Sequence, residues 1–241
     1  MKIAIIGAAG RMGRKLCELA ADAGMEVVAK IDAAPGYDTT WPEGTEGVID
    51  FSHHSALAGN ISRAAQCGIP YVIGTTGVTP EEQKTVDESA GKIPVVQSGN
   101  YSLGVNLLLS LVEKTAATLS SAYDIEIVEM HHRHKKDAPS GTAIMLAKAA
   151  AKGRGTEYPE GVVYGRRGDT GERPAGEIAI HALRGGSVVG DHSVMFAGEL
   201  ERIELVHKAQ DRAAFAAGAI EALKWAVGKN PGIYTMRDVL F

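Results

Sequence analysis

The chain has 241 residues, 45% hydrophobic and 22% charged, with 25 Lys+Arg against 29 Asp+Glu and a formal net charge of −4. That is an ordinary globular composition, long enough for one or two domains with a real core. No apolar run approaches the ~20 residues of a membrane helix, two cysteines exclude a disulfide scaffold or a Cys-rich zinc site, and the acidic balance argues against nucleic acid.

The opening run Lys2–Ile6 predicts a short strand, too brief for a secretory signal because glycine follows at once. Met12–Ala23 carries Leu16, Leu19, Ala20 and Ala23 at helical spacing. Strands are expected at Glu26–Ile31, Gly47–Phe51, Tyr71–Ile73 and Pro94–Gln97. Between them Ser55–Cys67 reads as a helix stopped by Gly68 and Pro70, and Thr79-Pro80-Glu81-Glu82 has the chemistry of a helix start. A helix at Leu103–Leu119, a strand at Tyr123–Met130 and a helix at Thr142–Ala151 follow. The glycine-rich stretch 153–176 is expected as a loop. Strands are then predicted at Glu177–Leu183, Ser187–Phe196 and Arg202–His207, and a last Ala-rich helix at Arg212–Val227.

Alternating strands and helices imply a Rossmann-like, doubly wound parallel sheet; strands in succession imply a second α+β domain with a mixed sheet. The expected division is 1–103 with 213–241 for dinucleotide binding, and 104–212 for substrate binding and oligomerisation. Trp41, Trp225 and Cys17 are read as packing residues.

Gly7-Ala8-Ala9-Gly10-Arg11-Met12-Gly13 lies between the first strand and the first helix, where a dinucleotide fold seats its pyrophosphate. Its spacing is G-x-x-G-x-x-G, not G-x-G-x-x-G, but Asp32 after the second strand is placed to accept from ribose hydroxyls. Asp32 repels a 2′-phosphate and Ala33 offers no guanidinium, which favours NADH; Arg11 or Arg14 leaves NADPH open. Gly74-Thr75-Thr76 and Ser98-Gly99-Asn100-Tyr101 end the fourth and fifth strands, where open sheets bind ligands. Nicotinamide contact and plain loop chemistry are equal readings there.

The densest chemistry runs from Glu126 to Thr142 and contains His131, His132, Arg133, His134, Lys135 and Lys136. If the strand continued, His132 and His134 would share one face and His131 and Arg133 the other. Three cations crowd these imidazoles, which suits a divalent metal badly. Ser140-Gly141-Thr142 opens a helix after Pro139 and offers N–H groups and hydroxyls to an anion. Cations converging with a helix N-terminus make a carboxylate site.

The segment Glu126–Ala143 resembles the signature of the dihydrodipicolinate reductase (4-hydroxy-tetrahydrodipicolinate reductase) family of diaminopimelate and lysine biosynthesis. The glycine turn, Asp50-Phe51-Ser52, Gly74–Gly77, Ser98–Ser102, Val189–His192 and His207-Lys208-Ala209 match in order. The resemblance implies NAD(P)H-dependent reduction of a cyclic dicarboxylate by a cytoplasmic homotetramer, with no metal and no membrane or nucleic-acid partner. It implies His131 as proton donor, Lys135 as a second donor, and His132, Ser140, Gly141 and Thr142 as substrate contacts. It also implies that Ile178–Leu183 and Val188–Phe196 face partner subunits; ordinary core is the competing reading. Arg184, Asp191 and His192 either serve a site or stabilise loops.

Overall fold

The computed structural model describes residues 1–119 and 121–241. Two compact units emerge, Met1–Leu103 with Arg212–Phe241, and Gly104–Asp211. The first runs through β1 (Lys2–Ile6), α1 (Arg11–Asp22), β2 (Glu26–Ile31), β3 (Gly47–Asp50), α2 (His54–Cys67), β4 (Tyr71–Ile73), α3 (Pro80–Ala90) and β5 (Pro94–Gln97). After α4 (Leu103–Thr118) come β6 (Asp124–His131), α5 (Gly141–Arg154), β7 (Val162–Tyr164), β8 (Ile178–Arg184), β9 (Gly190–Ala197) and β10 (Arg202–Ala209). The chain then returns to the first unit as α6 (Ala213–Ala226), β11 (Gly232–Tyr234) and α7 (Met236–Leu240).

The first sheet has the order β11-β5-β4-β3-β1-β2 and every pairing is parallel. Its strands are short apolar runs because both faces are covered. Ile3 and Ile5 of β1 pack with Leu16 of α1 and Leu223 of α6; Ala4 and Ile6 pack with Leu57 and Ile61 of α2. Alternate residues of one strand thus feed two cores, the pattern of a doubly wound sheet. Local signals set the helix ends. Thr79 and Glu82 form a reciprocal capping box around Pro80, and Gly68 closes α2 at φ +67°.

The second sheet has the order β10-β9-β6-β8-β7 and is mixed: β6 lies antiparallel to β9 and parallel to β8. One face buries Ile125, Ile127, Ile180, Val194 and Phe196 against Leu146, Ala147 and Ala150 of α5. Residues 124, 126, 128 and 130 of β6 point the other way and stay partly exposed.

Several expectations shift. Residues 153 and 154 finish α5, and Val162–Tyr164 forms edge strand β7 inside the stretch read as loop. The strand carrying the histidines stops at His131, one residue past the expected Met130, so the condition for His132 and His134 to share a strand face is not met. β11 and α7 had no periodic signal, being three and five residues long. Cys17 is half-buried, where burial pushes its thiol up.

A Cβ on Gly218 of α6 would sit 1.7 Å from the Tyr101 carbonyl oxygen. Gly218→Ala gains up to ~1 kcal/mol of helix propensity, but this overlap is with backbone and outweighs it. A net loss of roughly 1–3 kcal/mol is expected, read as a lower urea midpoint at an unchanged slope.

Candidate active site

In the first unit, the glycine turn is built for close backbone approach. Gly7 has φ +79°, and a Cβ there would lie 2.5 Å from the Phe51 carbonyl oxygen. A Cβ on Gly13 would lie 2.2 Å from the Gly7 carbonyl oxygen, so α1 packs directly on its own turn. Gly10 caps α1 without any side-chain hydrogen bond. The first-turn N–H groups and the helix dipole are therefore presented to an anion without a competing side chain. A cavity of about 560 Å³ adjoins them, lined by residues that include Gly7, Gly10, Asp32, Ala33 and His53. Asp32 is held at its rim: Oδ2 accepts from the Ala9 N–H and Oδ1 from the Ala34 N–H, each at 3.0 Å. These residues fit a dinucleotide.

Other predicted residues differ in what they leave free. Ala8 is buried. The Thr75 hydroxyl lies 3.2 Å from Asp50 Oδ1, and the Tyr101 hydroxyl lies 2.7 and 2.9 Å from the Ile73 and Val96 carbonyls. Thr76 and Arg11 are exposed, Met12 packs against the core, and Gly74 abuts the Phe51 ring. Ser98 bonds the Asn100 backbone, while Asn100 Oδ1 accepts from the Ser102 N–H. Sequence reading named Asp50 within the family match but gave it no role; it is a fully buried carboxylate that gathers Tyr71, Thr75 and the Ser52 N–H. Its signal was an acid closing an otherwise apolar strand. Burial, then the Asp50 charge, pushes the Tyr71 phenol well up.

In the second unit the histidine segment organises around Glu129, which is fully buried. Its Oε2 lies 2.6 Å from His131 Nδ1. Arg184 forks onto both oxygens, Nη1 to Oε2 at 2.8 Å and Nη2 to Oε1 at 2.9 Å. The Ser140 N–H donates to Oε1 at 3.0 Å. Burial alone would raise the Glu129 carboxyl; Arg184, His131 and the Ser140 N–H outweigh it and hold the group below its ordinary range.

Ser140 caps α5, its hydroxyl accepting from the Ala143 N–H and lying 3.1 Å from His192 Nε2. That hydroxyl is buried and committed, whereas Gly141 is exposed with open space where a Cβ would stand. The His131 and His192 rings meet edge to face at 5.2 Å. Burial, aided by His131, pushes His192 down to about 4. Lys135 pairs with Asp137 at 2.8 Å, and this bond lowers the Asp137 carboxyl. His132 and Thr142 are half-buried, while Arg133, His134 and Lys136 are exposed. Arg184 and His192, left open by the sequence, both join this cluster; Asp191 lies on the opposite face of β9. Among the described residues, no group of three or more His, Cys, Asp or Glu side chains is placed to hold a metal ion.

Residues 1–101 match the family model for the dihydrodipicolinate reductase N-terminus, and residues 104–240 that for its C-terminus. A 4-hydroxy-tetrahydrodipicolinate reductase of Rhodopseudomonas palustris strain BisB18 is 46% identical over 100% of this chain and 97% of its own. That of Thiobacillus denitrificans is 44% identical, over 100% and 98%. The chain belongs to the dihydrodipicolinate reductase family. Among solved structures, the dipicolinate-bound dihydrodipicolinate reductase of Paenisporosarcina sp. TG-14 shares the fold, with TM-score 0.78 and 23% identity over 98% of this chain and 97% of that one. As a member of the family, this chain is an NAD(P)H-dependent oxidoreductase that reduces 4-hydroxy-tetrahydrodipicolinate in diaminopimelate and lysine biosynthesis. No helix among the described residues is long and apolar enough to cross a membrane.

The buried His192 makes this reductase acid-sensitive. Its folded pKa of about 4 lies below the unfolded ~6.5, so the unfolded chain binds the proton first. Stability is full above about pH 6.5 and falls as pH drops towards 4. In His192→Gln that part of the decline should flatten, measured by urea unfolding at stepped pH.

Proposed function

We propose that His131 delivers the proton of this reduction and that Lys135 acts as a second donor beside a substrate carboxylate. His132, Ser140, Gly141 and Thr142 receive the substrate's carboxylates. The reading is carried by one observation: His131 is anchored through Nδ1 to an ionised, buried Glu129, beside the exposed N-terminus of α5 at Gly141. A ring held this way has a defined nitrogen for exchange, and imidazole is the side chain suited to giving and recovering a proton near neutrality. The α5 N–H groups and the Lys135 ammonium favour a dianion electrostatically. Ser140 contributes by setting the turn, because its hydroxyl caps α5 and its N–H is held by Glu129 Oε1.

The cofactor reading is NADH in preference to NADPH. Gly7, Ala8, Ala9, Gly10, Arg11 and Met12 hold the pyrophosphate, and Asp32 takes ribose hydroxyls with the lone pairs that Ala9 and Ala34 leave on its oxygens. Gly74, Thr75, Thr76, Ser98, Gly99, Asn100 and Tyr101 line the nicotinamide end, Thr75 and Tyr101 by their backbone. The chemistry supplied by the bound cofactor is a hydride. A 2′-phosphate at Asp32 meets a carboxylate and, at Ala33, no cation.

The assembly is proposed as a cytoplasmic homotetramer built on the second sheet. Support comes from its uncovered face, where Leu183 and Val206 are about half exposed, and from two unpaired cysteines. The competing reading for β8 and β9 is interior packing, and analytical ultracentrifugation separates the two by mass. A monomer at micromolar concentration would sink the tetramer.

The primary test follows loss of reduced-nicotinamide absorbance with substrate generated in situ. Higher kcat/KM with NADH than with NADPH is expected, and Ala33→Arg should lower that ratio; a native preference for NADPH refutes the cofactor reading. His131→Gln should cut kcat by roughly 10²–10⁴-fold with KM changed less than about threefold. An unchanged kcat removes His131 from the role.

A further inference from the structure

We propose that Glu129 is the positioning residue of this site, one buried carboxylate that fixes both the nitrogen of His131 that exchanges protons and the placement of the carboxylate-binding turn at Ser140 and Gly141. The inference rests on the roles given above to His131 and Gly141. An ionised carboxylate only accepts, so the 2.6 Å contact from Oε2 puts a proton on His131 Nδ1. Nε2 is then the atom that gives its proton to the substrate, leaving the neutral Nδ1–H ring still bonded to Glu129. Gly190 keeps room there, since a Cβ on it would stand 3.0 Å from Nε2. The second oxygen, Oε1, accepts from the Ser140 N–H at the mouth of α5.

Arg184 makes the arrangement rigid. Its fork occupies both oxygens, and Nη2 also donates to the Asp137 carbonyl at 2.7 Å, tying the turn after His131 to the same carboxylate. A buried ion pair is poor value as a stabiliser, because desolvation offsets most of its attraction. Its use here is geometric: the proton donor, the turn carrying Lys135 and the helix N-terminus share one fixed reference point.

Glu129→Gln separates the two tasks. The amide oxygen can keep the bond from the Ser140 N–H, while the amide NH₂ at the Oε2 position donates to His131 Nδ1 and moves the ring proton to Nε2. Expected are a fall in kcat of roughly 10²-fold or more, a KM for the dicarboxylate within about threefold of native, and partial recovery of kcat in Glu129→Asp. Nitrogen-15 NMR of neutral His131 should show Nδ1–H in the native enzyme and Nε2–H in Glu129→Gln. Native-like kcat in Glu129→Gln overturns the proposal, as does a native Nε2–H ring; the latter needs no variant to fold. If His131→Gln is crippled while Glu129→Gln is not, the positioning role alone falls. If His131→Gln is fully active, the proton-donor reading falls first.

Discussion

The contact between Glu129 and Arg184 is the constraint on which the second unit's buried polar cluster depends. A carboxylate at the covered end of β6 is tolerable only if its charge is met, and the guanidinium fork of β8 meets it on both oxygens. Once that charge is held, its remaining lone pairs are available to His131 and to the Ser140 N–H. The mixed topology is what makes this possible. β6 and β8 run parallel in neighbouring positions, with His131 and Arg184 in register, while antiparallel β9 sets His192 opposite Glu129. Remove any one strand and the cluster loses a member.

The two faces of that sheet handle charge in opposite ways. On the covered face a single carboxylate is locked by a single fork, and the neighbouring His192 is kept neutral by burial. On the open face Glu126 is shared by Arg166, Arg173 and His181. Burial opposes ionisation there too, but these donors hold Glu126 down to about 2. Solvent screens the open network, so it contributes little stability per pair. The covered pair is unscreened, and its geometry is correspondingly strict.

The first unit relies on backbone where the second relies on side chains. Gly7 and Gly13 let strand, turn and helix approach to distances that a Cβ would block. That leaves peptide N–H groups at the start of α1 without a competing side chain, and Asp32 accepts from two more of them. Buried hydroxyls such as those of Thr75 and Tyr101 satisfy neighbouring acceptors and stiffen the strand ends beneath the loops.

The sequence by itself determined whatever is encoded locally. Apolar runs located β1 to β5, because strands covered on both faces read as unbroken hydrophobic stretches. Capping at Thr79 and Gly68 marked helix ends, because those hydrogen bonds span three or four residues. The glycine turn and the His131–Thr142 segment stood out as contiguous motifs. Tertiary structure alone decided the rest. β7 and β11 exist because a neighbouring strand offers them hydrogen bonds, which three residues cannot signal in advance. The importance of Glu129 was invisible beside its louder histidine neighbours, since its partner Arg184 lies 55 residues away. Ser140, Thr75 and Tyr101 looked like ligand contacts, yet folding spent their hydroxyls on His192, Asp50 and backbone carbonyls. Residue type and spacing tell which groups a chain owns; only packing decides which of them are already satisfied and which are left to act.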